Sequence, residues 1–232
     1  MPAKNIIKTY VENGYYHLYN RGVEKRKIFM KPHDYSTFLF YLKLYLTPPK
    51  LLSKPDMIHP LTKKRIRLNL KQISLNGKIK LLAYCLMPNH FHLLVKQKID
   101  SGITELIRKV CTAYSMVFNQ RYNRVGVLFQ GRYKAVLIET DEQLMHVSRY
   151  IHQNPRELAE DGPMQAMELL NYPYSSLPQY LGKYKTVWLQ PEEVLDHFNQ
   201  KNPILDYRKF VLEEESEEEA LLLSSLKVDR EN

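Results

Sequence analysis

The sequence predicts an α+β sandwich: one mostly antiparallel sheet with helices on one face. Three observations carry this. Short aromatic or β-branched runs end at turn signals, longer segments repeat apolar residues at three- and four-residue spacing, and the two kinds alternate as strand, helix, strand, strand, helix, strand, helix.

The first strand is Tyr15-Tyr16-His17-Leu18-Tyr19-Asn20, which runs into a turn at Arg21-Gly22. A helix follows, capped by Asp34, with Phe38, Leu39, Leu42, Tyr45 and Leu46 on its apolar spacing, and Pro48-Pro49 stops it. Residues 47–80 hold nine Lys or Arg against one acid and read as a long basic insertion, either a phosphate-binding arm or a solvated loop. Two strands, Ile79 to Met87 and His90 to Lys96, are separated by the turn signal Pro88-Asn89. A helix from about Ile103 to Tyr122 puts Leu106, Val110, Ala113 and Val117 on one face, with Tyr114 beside them. A loop then leads to a strand at Ala135 to Ile138. The last helix opens with the capping box Thr140-x-x-Gln143 and ends at Asn154-Pro155.

A chain of 232 residues suits one generous domain, and 44% hydrophobic with 25% charged residues excludes a disordered or fibrous protein. No apolar run approaches the roughly 18 residues of a membrane helix, and the start lacks a signal-peptide core, so a cytoplasmic protein with no membrane partner is expected. Two cysteines, Cys85 and Cys111, support neither a disulfide framework nor a thiolate zinc site. The net charge of +9 is uneven: residues 213–232 carry eight acids and two bases, while the rest carries 32 bases and 17 acids. So basic a body implies a polyanionic partner, and charge alone does not choose among DNA, RNA and a membrane surface. The acidic tail either shields that body or is simply solvated.

In His90-Phe91-His92, strand alternation points both imidazoles to one face and Phe91 to the other. Two neutral nitrogens so placed can hold a cation, and imidazole suits manganese, zinc, nickel or iron better than magnesium; two surface histidines are the plain alternative. On the last helix, His146, Tyr150 and Asn154 form an i, i+4 column beside the apolar stripe of Leu144, Val147, Ser148 and Ile151. Tyr150 there is either a half-buried packing residue or a phenolic nucleophile one turn from an amide oxygen.

Four blocks then act together: Tyr16-His-Leu-Tyr-Asn-Arg-Gly22, Ala83-Tyr-Cys-Leu-Met-Pro-Asn-His-Phe-His-Leu-Leu-Val95, Leu128-Phe-Gln-Gly-Arg-Tyr-Lys134 and Ser148-Arg-Tyr-Ile-His-Gln-Asn-Pro155. In this order they resemble the single-tyrosine HUH transposases, and most of all the REP-associated tyrosine transposases, over about residues 13–182, the trailing Asn171-Tyr-Pro-Tyr-Ser-Ser176 included. The resemblance implies a ferredoxin-like catalytic domain over 1–182, with 47–80 inserted and 183–232 as an extension. It also implies a single-stranded or hairpin DNA substrate, a divalent metal (Mg or Mn), and strand cleavage and rejoining through a covalent 5′-phosphotyrosine. By the same resemblance Tyr150 is the nucleophile, and His90, His92 and Asn154 hold the metal. Arg21, Arg132 and Lys134 are read as backbone-positioning cations, or as ordinary surface charges, and Tyr19 and Tyr133 as stacking platforms for unpaired bases. Among competing tyrosines, Tyr114, Tyr122 and Tyr133 lack an amide four residues on. The resemblance leaves open monomer or homodimer, and whether the tyrosine helix serves its own subunit's histidines or a partner's. Two rivals stand beside it. One is a domesticated hairpin-binding protein without chemistry. The other is a phosphoesterase pairing His146-Val-Ser148 with His90-Phe-His92, which needs both motifs on strands although His146 falls in the helix.

Overall fold

The computed structural model of the chain describes residues 10–53, 58–59, 63, 69–159, 164–198, 201–213, 216–217 and 221. Most of the centre of the basic insertion and nearly all of the acidic tail lie outside the described residues.

The first strand, β1 (Tyr15–Arg21), ends where expected, because a Cβ on Gly22 would stand 2.2 Å from the Arg26 carbonyl oxygen. Next comes α1 (Pro32–Leu46), with proline in its first turn. Asp34 lies inside that turn and is not the N-cap; its carboxylate accepts from the N–H groups of Met30 and Lys31, both at 2.9 Å. After a short α2 (Leu70–Ile73), the hairpin of β2 (Ile79–Met87) and β3 (His90–Gln97) turns at Pro88-Asn89. That turn is pinned. The Pro88 carbonyl accepts from Ile28 and Phe29, and the Asn89 carbonyl from Gly22. The order closes with α3 (Gly102–Arg121), β4 (Lys134–Ile138) and α4 (Asp141–Gln153). At the start of α4, Thr140 Oγ1 accepts from the Gln143 N–H, whereas the Gln143 side chain turns back to the Glu139 N–H, one residue before the box's partner.

The four strands are antiparallel in the order β2-β3-β1-β4, with the first and third strands central, which is the ferredoxin-like arrangement. Helices cover both faces, which corrects the one-face expectation. Leu18 of β1 and Phe91, Leu93 and Val95 of β3 join one core with α1 and α3. Leu94 and Cys85 belong to a second core with Leu144, Val147 and Ile151 of α4. Consecutive Leu93-Leu94-Val95, all buried, is what a strand covered on both sides needs.

The second core is completed by α5 (Ala166–Leu170), α6 (Leu177–Tyr180), α7 (Glu192–Leu195) and α8 (Pro203–Leu212). Val194, Tyr207 and Val211 are fully buried there, so much of the segment beyond 183 packs on the sheet domain. Glu193 of α7 pairs with Lys80 and Lys96, at 2.5 and 2.8 Å, and this holds its carboxyl down near 2, hydrogen bonds from these lysines and Tyr15 outweighing the opposing effect of burial. Among the described residues no helix is long and apolar enough to cross a membrane.

Candidate active site

Strand parity builds one wall of the site. Across the sheet, Arg21 stands opposite His90, and Tyr19 opposite both His92 and Lys134. Directly paired residues share a face, so β1, β3 and β4 present these five side chains on the side that α4 covers. A cavity of about 240 Å³ opens there, lined by Tyr19, Asn20, Arg21, His90, His92, Gln130, Arg132 and Lys134. The Lys134 ammonium lies 5.4 Å from the Tyr19 ring centroid.

The other wall is α4. Its Tyr150 ring stands edge-on to His92, centroids 5.5 Å apart, and to His17 at 5.9 Å. Asn154, at the C-terminal end of the helix, donates from Nδ2 to the Tyr150 carbonyl at 2.9 Å, which turns Oδ1 towards His90 Nε2 at 3.3 Å. Nδ1 of His90 is 2.7 Å from the Asn89 side-chain oxygen. An oxygen acceptor there assigns the imidazole proton to Nδ1, leaving a lone pair on Nε2 facing the lone pairs of the amide oxygen. His92 Nδ1 lies 2.8 Å from His17 Nε2, while His92 Nε2 is buried without a hydrogen-bond partner. Such a set, two imidazole nitrogens and one amide oxygen, fits a divalent cation. Among the described residues no group of three or more His, Cys, Asp or Glu is placed to hold one, so a cation here relies on the amide.

Burial keeps His92 and His17 neutral. His92 titrates well below the ordinary histidine range, chiefly by desolvation, with His90 and then His17 adding to it and Asn154 opposing. His17 is pushed down to about 3 by burial and then by His90.

What fixes α4 lies in the part of the chain the sequence left unread. Arg149, Gln153 and Arg156 donate to carbonyls of Phe210, Val211, Leu212 and Glu213, the open C-terminal end of α8. Beside them His152 is 2.6 Å from the Tyr207 hydroxyl and 2.7 Å from Ser176 Oγ, and Ser148 Oγ is 3.1 Å from the same hydroxyl. Short docking segments with no period of their own gave no signal for this.

The structure thus brings His90, His92, Asn154 and Tyr150 together, with Tyr19, Arg21, Arg132 and Lys134 around the cavity next to them. Tyr133 lies apart: its hydroxyl is 2.7 Å from that of Tyr10, and it packs on the core with α1 and α3. Neighbouring residues point to opposite sides of an extended chain, so Tyr133 and Lys134 part company. Tyr114 donates to the Ile28 carbonyl and Tyr122 to Asp34 at 2.7 Å, both away from the histidines. His146 sits in α4 with its ring 5.4 Å from Phe210, far from the strand setting a phosphoesterase pairing requires. His17, Asn20 and Gln130 were missed. The signal for His17 was its i, i+2 parity with Tyr19.

Comparison with known proteins gives two findings. Residues 53–154 match the family model described as transposase IS200 like. A solved structure of a REP-associated tyrosine transposase bound to a REP hairpin is similar at 14% identity and a TM-score of 0.49, covering 80% of this chain and 91% of that one. No curated protein matches.

Proposed function

We propose, from the resemblance to IS200-like transposases that the family model shows over residues 53–154, that this chain is a metal-dependent DNA transposase or a strand-transferring nickase derived from one. Its substrate is single-stranded DNA that carries a hairpin, as in the REP-associated relatives. The observation that carries the reading is the convergence of Tyr150, His92 and the facing pair His90 Nε2 and Asn154 Oδ1 beside a cavity lined with cations.

His90, His92 and Asn154 would hold the divalent cation, magnesium or manganese, which when bound supplies polarisation of a non-bridging phosphate oxygen. Arg21, Arg132 and Lys134 hold the DNA backbone across the cavity mouth, and Tyr19 lends its ring to an unpaired base. The Tyr150 oxygen attacks the phosphorus in line. A new bond forms between the phenolic oxygen and phosphorus, the bond from phosphorus to the 3′ oxygen breaks, and that oxygen leaves as a 3′-hydroxyl carrying a proton. The 5′-phosphotyrosine conserves the ester, so a 3′-hydroxyl of another end can reverse the step and join strands without nucleotide energy. One chain supplies both nucleophile and histidines in this arrangement.

The test is a denaturing gel after incubation of the protein with hairpin-bearing single strands labelled on the 3′ side of the cut, in manganese or magnesium. A labelled protein band that chelation prevents is expected. Tight hairpin binding with neither band nor cleaved strand would leave a binding protein in place of the enzyme.

A further inference from the structure

His17 belongs to none of the roles above, yet it is fully buried at the centre of the sheet and touches both halves of the site. On β1 it lies in register with Leu94 and Val136. Its Nε2 is 2.8 Å from His92 Nδ1, and the two rings are 5.0 Å apart with only 17° between their planes. A nitrogen-to-nitrogen distance that short between nearly parallel rings is an edge-to-edge, in-plane hydrogen bond; face-to-face rings would not bring these two atoms so close.

One proton serves that bond, and it has two homes. If it sits on His17 Nε2, then His92 accepts at Nδ1 and carries its own proton on Nε2, directed into the site. If it sits on His92 Nδ1, then His17 accepts and His92 Nε2 is left with a bare lone pair. Only the second can ligate a cation.

We infer that His17 is a positioning residue: it accepts the Nδ1 proton of His92, fixes the ring's tautomer and plane, and so turns the His92 Nε2 lone pair towards the site. This rests on the metal reading above and adds a residue to it. His92 Nε2 and His17 Nδ1 are the two ends of the pair, and both are buried without a hydrogen-bond partner. The orphan at the ligand end fits the assignment, and His17 Nδ1 at the far end then carries a proton that meets no acceptor. A lone pair at His92 Nε2 is what a cation would complete. The outer ring of a metal-ligating histidine is ordinarily a carboxylate, a backbone carbonyl or a water; here strand pairing puts a second neutral imidazole in that place. The same ring meets Tyr150 edge-on, so it also bounds the space in which the phenol moves.

The experiment measures manganese affinity of the DNA-free, full-length protein by electron paramagnetic resonance for wild type, His17→Phe, His17→Gln and His92→Ala. Glutamine can place an acceptor near the position of Nε2; phenylalanine cannot. The expected result is a 10–100-fold loss of affinity in His17→Phe, the size seen when an outer partner of a ligand is removed, and recovery towards wild type in His17→Gln. A merely structural role would instead lower thermal stability without separating the two variants in manganese binding. Wild-type affinity in His17→Phe, or an equal loss in both variants, overturns the role of His17 and leaves the metal site standing. A wild type that binds manganese no better than His92→Ala overturns the metal reading itself, and this inference with it. Should His17→Phe not fold, long-range ¹H–¹⁵N spectra of the metal-free wild-type protein decide the same point: a His92 proton on Nδ1 is expected, and a proton on Nε2 overturns the assignment.

Discussion

The two faces of the sheet use the same strands for opposite ends. Towards α1 and α3, β1 and β3 present Leu18, Phe91, Leu93 and Val95, each fully buried among aromatic and aliphatic neighbours. Towards α4 the alternate positions present His17, Tyr19, His90 and His92, which hold a chain of nitrogen contacts and leave two buried atoms without partners. Alternation of side chains lets one face supply cohesion while the other keeps polar groups under-satisfied, which is costly for stability and useful for binding a cation and a phosphate.

The comparison breaks most sharply at adjacent residues. His90→Ala or His92→Ala is expected to abolish strand cleavage and leave hairpin affinity almost unchanged; normal cutting by either variant in manganese or magnesium would remove the site. Phe91→Ala, between them but facing the other core, should cost about 3–5 kcal/mol in denaturant melts and keep metal-dependent cleavage wherever the protein stays folded.

Behind the site, Tyr207→Phe deprives His152 of one of its two side-chain partners and should cost about 1–3 kcal/mol. The pH dependence of that region has a definite sign. Burial pushes His152 down to about 3, below the ordinary value of 6.5, so the unfolded chain binds the proton first. Its contribution is fully present above pH 6.5 and is lost as pH falls towards 3, by about 1.4 kcal/mol per pH unit. Denaturant melts at pH 7 and pH 5 check this, and a stability that rises on acidification would contradict it. The smallest effect concerns the rim. Arg132→Ala and Lys134→Ala should each weaken hairpin binding about equally across sequences and lower the salt slope of log affinity by about 1.

How much of this was legible follows from what has a period. The i, i+2 spacing of His90 and His92 and the i, i+4 spacing of Tyr150 and Asn154 are local, and the structure keeps both. Both elements of the pair meet because β3 and α4 share a face, which no local pattern states. Helices on the second face went unread although the unbroken apolar runs Leu81 to Met87 in β2 and Leu93 to Val95 in β3 were their signal, because β1 and the start of β3 alternate instead. Of the segments α5 to α8, three are only four or five residues long and are held by contacts such as the Tyr180 hydroxyl on the Leu82 carbonyl, at 2.9 Å, rather than by propensity. The role of His17 rests on its diagonal contact with His92 on the neighbouring strand, which no pattern within β1 states.

The central claim is that Tyr150 is the attacking group, and it is tested most directly by comparing wild type with Tyr150→Phe on 3′-side-labelled hairpin DNA in a denaturing gel. Phenylalanine keeps the ring that packs against His92 and His17 but removes the oxygen. The account predicts wild-type folding and hairpin affinity with no covalent band, while the same change at Tyr114, Tyr122 or Tyr133 leaves the band in place. A covalent band that persists in Tyr150→Phe would contradict the account.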